Sequence, residues 1–235
     1  MVQVATNLEE AIFEKRLNRF VGEFKNIRGE IHQCHILNPG RMKEFLIKGV
    51  KILVENRGIS NPNRKIPYSL IFVIKDDILI GIDSILPNKI FEEALQKRII
   101  KGFENYNEYK REKNYGIDGK SKIDFFIDKH IFVEIKSTNC VFGEQARFPD
   151  APSIRAQKHL KELIHELEKG MQAYVVFIVK RSDAKSIRSY DEIDPEFGIL
   201  FRKALNIGLK CIAFTIDYFD SGKQARIGNQ IVFQP

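Results

Sequence analysis

The chain has 235 residues, of which 43% are hydrophobic, and its formal net charge at pH 7 is +7. This length and composition predict a folded protein with one large or two small hydrophobic cores, and the positive charge favours a polyanionic partner. The longest apolar run, "AYVVFIV" at 173–179, is too short to cross a bilayer, and the first residues, "MVQVATNLEE", lack a basic segment followed by an apolar one, so neither a membrane span nor a secretion signal is predicted.

The first third of the chain is predicted to form short strands with one helical turn at residues 40–46. Five or six mostly alternating strands over this length are typical of a small closed β-barrel, and the oligonucleotide-binding (OB) type is one of these. Strand counting leaves a small sandwich open as the alternative. The predicted strands are "AIFEKRL" at 11–17, "RFVGEFKN" at 19–26, "EIHQCHIL" at 30–37, "VKILVEN" at 50–56, "YSLIFVI" at 68–74 and "ILIGID" at 78–83.

Several side chains of this first part are candidates for contacts with nucleic acid. Arg41, Arg64, Lys65 and Tyr68 combine positive charge with an aromatic face. Single-stranded nucleic acid uses such groups for phosphate contacts and base stacking. Packing of Tyr68 inside the barrel is the alternative interpretation.

The pattern changes near residue 86, where we predict a domain boundary between residues 1–86 and 87–235. A helix is predicted over "KIFEEALQKRII", in which Ile90, Phe91, Ala94, Leu95 and Ile99 recur at helical spacing. Two further helices are predicted at 154–169 and 195–207, the latter with Pro195 at its start and Gly208 just past its end. Strands are predicted at 106–115, 122–128, 131–137, 173–180 and 209–216, so this second part has an α/β pattern.

Residues 122–136, "KIDFFIDKHIFVEIK", are predicted to form a hairpin that carries charges between apolar residues. A loop of three residues pairs Ile127 with Ile131 and predicts Asp124 directly opposite Glu134. Lys136 lies two residues beyond Glu134, so side-chain alternation places it on the same face. A two-residue turn would instead send the two carboxylates to opposite faces.

Opposed carboxylates destabilise a sheet unless another group compensates their charge. Mg²⁺ binds carboxylate oxygens and assists phosphoryl chemistry, and an adjacent lysine can activate water or stabilise charge in the transition state. Asp124 and Glu134 are therefore candidate metal ligands, and Lys136 is a candidate catalytic residue. The alternative is that Lys136 forms a simple salt bridge with one of them on a solvated sheet face.

The helix at 154–169 begins with basic side chains and follows the segment "FPDAPS". Arg155, Lys158 and His159 could contact a phosphate docked at the helix N-terminus. The alternative is that Ser153 caps the helix, that the basic residues form a solvated face and that His159 is a packing or hydrogen-bonding residue rather than a general acid.

Other motifs of catalysis or metal binding are absent from the sequence. There is no glycine-rich phosphate loop, no G-x-S-x-G elbow and no H-E-x-x-H helix. The cysteines, Cys34, Cys140 and Cys211, form no C-x-x-C pair, which argues against a zinc knuckle or a disulfide framework. A reducing, cytoplasmic location is therefore predicted.

Seven stretches in order along the chain carry a family resemblance. The chain resembles the sugar fermentation stimulation (SfsA) family, and its second half resembles the PD-(D/E)xK nuclease fold. The stretches span nearly the whole chain: "LNPGRM" at 37–42, "RKIPYSL" at 64–70, "LPNKIFEEAL" at 86–95, "SKIDFFI" at 121–127, "FVEIKS" at 132–137, "FPDAPSIRAQKHLKEL" at 148–163 and "ALNIGLKCIAF" at 204–214.

The resemblance implies an all-β, OB-type barrel followed by a PD-(D/E)xK nuclease-like mixed-sheet α/β domain, in a DNA-binding protein. It implies Asp124 and Glu134 as metal ligands, Lys136 as the catalytic lysine and Glu93 as a further carboxylate approaching the same metal. The expected activity is phosphodiester hydrolysis with Mg²⁺, or Mn²⁺, on DNA, with RNA left open as a substrate. Two alternatives remain: a non-catalytic DNA-binding regulator of sugar metabolism genes, and a single-strand-binding adaptor that relies on the barrel.

Overall fold

A computed structural model describes residues 1–58, 61 and 63–235. Its three α-helices are α1 (Leu86–Gln96), α2 (Ile154–Glu168) and α3 (Pro195–Asn206) among the described residues. The strands in chain order are β1 (Val2–Gln3), β2 (Leu8–Arg16), β3 (Val21–Asn26), β4 (Ile31–Ile36), β5 (Lys51–Asn56), β6 (Tyr68–Lys75), β7 (Ile78–Gly81), β8 (Tyr109–Tyr115), β9 (Ser121–Ile127), β10 (Ile131–Thr138), β11 (Val141–Phe142), β12 (Gln145–Phe148), β13 (Gln172–Val179), β14 (Ser186–Ser189), β15 (Lys210–Phe219), β16 (Gln224–Gln230) and β17 (Val232–Gln234).

Strands β2 to β6 form a closed five-stranded barrel. The sheet runs in the order β4-β3-β2-β5-β6-β7, and a parallel pairing of β4 with β6, at Cys34 and Tyr68, closes it. Inward-facing side chains such as Phe13, Phe24 and Val73 fill the interior and have no more than 1% of their surface exposed. The closing pair confirms the predicted barrel and rules out the sandwich.

The second part is built on a seven-stranded mixed sheet in the order β1-β16-β15-β13-β10-β9-β8. The three central strands β10, β13 and β15 are parallel, and the outer pairings are antiparallel. Alternation along β13 sends Val175 and Phe177 into the core under α2 and α3, and Val176 and Ile178 into the core under α1. The helices therefore cover both faces, which confirms the predicted α/β architecture.

The predicted helices α2 and α3 are confirmed, whereas α1 ends earlier than its apolar pattern predicts. Lys97 is the C-terminal cap of α1, and Arg98 adopts a left-handed φ of 57°. Ile99 is therefore outside the helix and 59% exposed, so its predicted place in the apolar stripe is wrong. A further four-stranded sheet, in the order β11-β12-β14-β17, lies beside α3 and was not predicted.

The barrel and the α/β part are joined by hydrogen bonds around Gly81 and Lys180. The Gly81 amide donates to the Lys180 carbonyl at 2.9 Å, and Asn139 Nδ2 donates to the Gly81 carbonyl at 3.0 Å. A Cβ atom at Gly81 would lie 2.1 Å from the Tyr218 hydroxyl, so only glycine permits this approach. β1 pairs with β16 in the seven-stranded sheet. Val2 and Gln3 are therefore part of the α/β sheet, although the predicted boundary at residue 86 assigned them to the barrel.

Lys180 at this junction is 2% exposed, and its ammonium donates to the Ile82 carbonyl at 3.3 Å. Burial lowers the pKa of Lys180 from 10.5 to about 8, against the opposing charges of Asp150 and Asp83. Between pH 8 and pH 10.5, Lys180 binds a proton in the unfolded chain but not in the folded protein. The contribution of Lys180 to the free energy of unfolding therefore rises with pH over this range.

We expect wild-type protein to gain about 3 kcal/mol relative to Lys180→Met as pH rises from 7.5 to 10.5. Urea unfolding of both proteins at each pH measures the difference, in which other titrating groups cancel. An unchanged difference in stability across this pH range would contradict a buried Lys180 amine with a lowered pKa.

No helix among the described residues is long and apolar enough to span a membrane.

Candidate functional site

The β9–β10 hairpin has the predicted three-residue turn. Asp128 and Lys129 take left-handed φ values of 48° and 61°, which lets the chain reverse within the short loop. Ile127 pairs with Ile131, as predicted, and the next two pairs keep this register. The hairpin therefore delivers both acidic residues to the same end of the two strands.

The predicted ladder pair between Asp124 and Glu134 is not formed, because the strands part at Asp124. The ladder with β10 ends one residue earlier, and the ladder with β8 also skips Asp124, opposite Glu112 with its left-handed φ of 50°. In place of a ladder bond, Asp124 Oδ2 accepts a hydrogen bond from the Ile135 amide at 2.7 Å. Its Oδ1 accepts one from Asn88 Nδ2 of α1, also at 2.7 Å.

Asp124 has a strongly perturbed acidity. Burial, and then the negative charge of Glu134, raise the pKa of Asp124 from 3.8 to about 6. The hydrogen bonds from Ile135 and Asn88 and the charge of Lys136 act in the opposite direction and are outweighed. The charge of Glu134 therefore acts on Asp124, although the two residues are not a ladder pair.

Glu134 is 3% exposed and is contacted by two basic groups on one of its oxygens. Lys136 Nζ donates to Glu134 Oε1 at 2.6 Å, and His159 Nδ1 of α2 makes a short contact with the same atom. Burial alone raises the pKa of Glu134, but Lys136 and His159 outweigh it, and the net pKa is lowered. The predicted shared face of Glu134 and Lys136 is confirmed, and that face is buried under α2 rather than solvated.

The other oxygen, Glu134 Oε2, is buried and has no hydrogen-bond partner among the residues that the structure describes. A buried carboxylate oxygen without a donor is costly, and a bound cation is one group that satisfies it. Together with the raised pKa of Asp124, this orphaned oxygen fits a hard divalent cation held by the two carboxylates. Within residues 1–58, 61 and 63–235, no three His, Cys, Asp or Glu side chains are grouped closely enough to hold a metal by themselves.

Glu93 does not contact this pair. Its carboxylate accepts a hydrogen bond from the Met1 ammonium at 2.7 Å and pairs with Lys97 one turn along α1. Asn88, five positions earlier, is the α1 residue that reaches Asp124, and at 3.6 residues per turn these positions point about 140° apart. Helix geometry thus directs Glu93 to the N-terminus of the chain rather than to the implied metal.

Behind Glu134 lie polar side chains that sequence analysis missed. Tyr115 and Glu162 are each almost fully buried, and no hydrogen-bond partner for the Tyr115 hydroxyl or for Glu162 Oε2 is found in the described part of the chain. Ser121 Oγ donates to Glu162 Oε1 at 2.7 Å. Burial, and then the charge of Glu134, raise the pKa of Tyr115. Glu162 therefore adds a second buried carboxylate on the face of the sheet that α2 covers, and no short motif in the sequence predicts its burial.

The basic residues of α2 are divided between two environments. His159 is 6% exposed and bonded to Glu134, so its predicted phosphate contact is replaced by a contact within the site. Lys158 lies 3.6 Å from Asp118 and 3.5 Å from Glu162, whereas Arg155 is exposed. Ser153 caps the helix by accepting a hydrogen bond from the Ala156 amide at 3.1 Å, as the alternative prediction had it.

The predicted nucleic-acid residues of the barrel are also separated. Tyr68 packs against Phe24 and His32, with ring centroids 5.1 and 5.3 Å apart, and lines a depression with Glu9 and Glu30. Arg64 donates to the Ile66 carbonyl and to Ser69 Oγ, so its guanidinium is engaged within the barrel, and Lys65 is exposed. Arg41 is exposed in a different, basic cleft.

Two family models match the chain in the order barrel, then α/β sheet. The model described as "SfsA N-terminal OB domain" matches residues 15–82, and that described as "Sugar fermentation stimulation protein RE domain" matches residues 85–222. The OB match agrees with the closed barrel that the strand pairings form.

Relatives and a solved structure match over most of their length. The sugar fermentation stimulation protein homolog of Caldanaerobacter subterraneus is 41% identical over 206 residues, which cover 87% of this chain and 88% of the relative. The homolog of Clostridium kluyveri is 39% identical over 216 residues, covering 90% and 91%. The structure of Pyrococcus furiosus SfsA in complex with Ca²⁺ is 30% identical and covers 100% of both chains with a TM-score of 0.87. The chain belongs to the sugar fermentation stimulation protein family.

Proposed function

We propose that the protein binds DNA and hydrolyses its phosphodiester bonds with a divalent cation, Mg²⁺ or Mn²⁺, held by Asp124 and Glu134. The observation that carries this proposal is the buried Oε2 of Glu134, which has no hydrogen-bond partner among the described residues, together with an aspartate whose pKa is raised by burial and then by the charge of that same glutamate. Both nearby basic groups contact Glu134 Oε1, so neither of them satisfies Oε2.

Each residue of the site has a distinct part in the proposed reaction. A cation bound there supplies Lewis-acid stabilisation of the negative charge on the phosphate. Lys136 lies beside Glu134 with its side chain 12% exposed, where the amine positions or activates the attacking water and its protonated form stabilises transition-state charge. His159 holds the Glu134 carboxylate from α2, and Asn88 holds Asp124 from α1.

The relative from Pyrococcus furiosus supports the cation. Its structure is described as a complex with Ca²⁺, and Ca²⁺ and Mg²⁺ are both hard cations that bind oxygen ligands. Asp124 and Glu134 offer oxygen ligands of this kind.

One observation favours a second candidate, a DNA-binding regulator that does not cut. Glu93 is engaged by Met1 and Lys97, which leaves two carboxylates rather than three for a cation. A site with fewer charged ligands binds cations more weakly. In this case the protein retains DNA binding and the acidic pair is structural.

The two candidates are separated by incubating labelled single-stranded, duplex and branched DNA, and RNA, with Mg²⁺, Mn²⁺, Ca²⁺ or EDTA. We expect cutting with Mg²⁺ or Mn²⁺, none with EDTA, and none by Asp124→Asn with any cation. Asp77→Asn is the matched control, because Asp77 is an exposed turn residue with a φ of 60° that asparagine also adopts. DNA binding without cutting of any substrate by wild-type protein would contradict the nuclease and support the regulator.

Cation binding is measured separately, from thermal unfolding. A ligand that binds only the folded state raises the midpoint by mass action. We expect Mn²⁺ to raise the midpoint of wild-type protein and of Asp77→Asn, and to leave that of Asp124→Asn unchanged. An equal rise in all three proteins would place the cation elsewhere.

A further inference from the structure

A basic cleft of about 800 Å³ lies at one end of the barrel, between the turn after β2 and the segment that follows β4. Four cations line it, Arg16, Arg19, Arg41 and Lys43, and the remaining lining residues are neutral. The cleft contains only one of the residues that the sequence had marked for nucleic-acid contact, Arg41.

The positive charge of this cleft is not paired with a carboxylate within residues 1–58, 61 and 63–235. Among the described residues, none of the four cations forms a salt bridge, whereas Lys15, next to Arg16, pairs with Glu23 at 3.2 Å. Burial, and then the positive charge of Arg19, lower the pKa of Arg16. Like charges held together without counter-charge attract a polyanion.

Arg16 builds the cleft rather than offering its own donors to a ligand. Its side chain donates to five backbone carbonyls: Asn18 at 3.1 Å, Arg19 at 2.5 Å, Asn38 at 3.1 Å, Gly40 at 2.6 Å and Arg41 at 2.6 Å. A guanidinium has five N–H donors, so all of them are used. Arg16 thus ties the turn after β2 to the 38–41 segment and fixes the backbone from which Arg19 and Arg41 project.

Exposed apolar side chains stand beside the cations. Phe20 is 46% exposed, and the Arg19 guanidinium lies 5.7 Å from the centre of its ring. Leu17 in the same turn is 42% exposed. Single-stranded nucleic acid is bound by cations that contact phosphates and aromatic rings on which bases stack.

A chain of hydrogen bonds joins the cleft to the strand that carries Lys136. Asn38 Nδ2 donates to the Ile82 carbonyl at 3.1 Å, and Lys180 Nζ donates to the same carbonyl. The Lys180 amide donates to the carbonyl of Thr138, two residues beyond Lys136 on β10, at 3.0 Å. The cleft is therefore fixed to the carboxyl end of β10, the kind of edge at which open α/β sheets bind their ligands.

We propose that this Arg16-built cleft binds the phosphate backbone of a single-stranded DNA segment through Arg19, Arg41 and Lys43, with a base stacked on Phe20. The proposal rests on the proposed function for the identity of the polymer. It assigns binding to a surface other than the depression around Tyr68.

The test measures binding of a fluorescein-labelled single-stranded oligonucleotide by anisotropy in EDTA, where no cutting occurs. We expect Arg41→Ala/Lys43→Ala to bind at least about tenfold more weakly and to lower the salt slope by about 1.4, since each phosphate contact of a single strand contributes about 0.7. The matched control is Arg28→Ala/Lys51→Ala, which removes the same charge from exposed barrel residues outside the cleft. Equal binding by the two double variants would overturn the proposal.

Phe20→Ala tests the stacking. We expect at least about a fivefold loss of affinity for the single strand and a smaller loss for a duplex of the same sequence, because paired bases are not free to stack on a side chain. An equal effect on both, or none, would overturn the single-strand assignment and leave a backbone contact only. Inorganic phosphate and a mononucleotide are added as competitors, and displacement of the oligonucleotide by either one at low concentration would indicate a small-molecule phosphate site instead.

These outcomes are distinguishable from failure of the proposed nuclease. If wild-type protein does not cut DNA but the cleft variants bind the oligonucleotide more weakly than wild type, the cleft assignment stands and the nuclease proposal fails. If Asp124→Asn abolishes cutting while the cleft variants bind normally, the nuclease stands and the cleft assignment fails. Circular dichroism of each variant confirms that the barrel is folded.

Discussion

Replacement of Lys136 by methionine is expected to abolish DNA cutting while leaving DNA binding intact. Lys136 Nζ lies 2.6 Å from Glu134 Oε1, and Lys136 and His159 are the two basic residues in contact with that carboxylate among the described residues. Removal of a general acid, base or charge-stabilising group costs about 10²- to 10⁴-fold in rate. Methionine retains the length and the apolar stem of lysine, so packing under α2 is preserved.

Cation binding should respond in the opposite direction to cutting. Without the ammonium, the two carboxylates carry more uncompensated negative charge, so Lys136→Met should bind Mn²⁺ as tightly as wild-type protein or more tightly. Single-turnover cutting and the Mn²⁺-dependent rise in the unfolding midpoint measure the two effects. Lys122→Met, which removes an exposed lysine from the neighbouring strand β9, is the matched control and should behave as wild type. Wild-type cutting by Lys136→Met would refute its catalytic role.

The largest loss of stability is expected from Phe177→Ala. Phe177 is fully buried on β13, and its ring lies 5.5 Å from Phe148, 5.7 Å from Phe201 and 6.3 Å from Phe233. It joins α3 and the four-stranded sheet to the central sheet. Truncation of a buried phenylalanine costs about 3–5 kcal/mol, because transfer free energy is lost and a cavity remains.

Urea unfolding at constant pH measures this change, with Ile199→Ala as the control. Ile199 lies on α3 with 57% of its surface exposed, and its truncation should change stability by about 0.5 kcal/mol or less. Phe177 is also the ladder partner of Lys136, so cutting should weaken along with stability in Phe177→Ala. A loss of stability no larger than that of the control would contradict the central place of this ring.

The register of the acidic hairpin could be predicted because loop length fixes it. Three residues between Ile127 and Ile131 determine which residues oppose each other, and the structure forms those pairs. The parting of the strands at Asp124 could not be predicted, and neither could the left-handed φ of Glu112 opposite it on β8, because a glutamate seldom adopts such a φ. Sequence therefore located the carboxylates but not the way they converge.

The helices α2 and α3 were predictable from apolar spacing and end signals, but the polar residues along their buried edges were not. His159 and Glu162 have the spacing of a solvated helix face, yet both are buried, because they meet Glu134 and Ser121 from the central sheet. Tertiary contacts alone decide this, and a single sequence does not contain them explicitly.

The short strands of the second sheet were missed for a related reason. β14 has four residues, "SIRS", and β17 has three, so neither offers an alternating pattern long enough to recognise. They become strands because β12 and the helix α3 beside them provide partners and a core.

The sequence also did not show that Asn88, and not Glu93, contacts Asp124, because this depends on which side of α1 faces the hairpin.

The pairing of β1 with β16 has a consequence for any attempt to divide the protein. Val2 and Gln3 cover an outer strand of the seven-stranded sheet, and the Met1 ammonium is held by Glu93 on α1. A fragment of residues 87–235 would lose that cover and present an uncovered backbone edge, which is prone to self-association. Cutting the chain at residue 86 is therefore expected to yield a C-terminal fragment that aggregates. A circularly permuted fragment that keeps residues 1–3 attached should be more soluble.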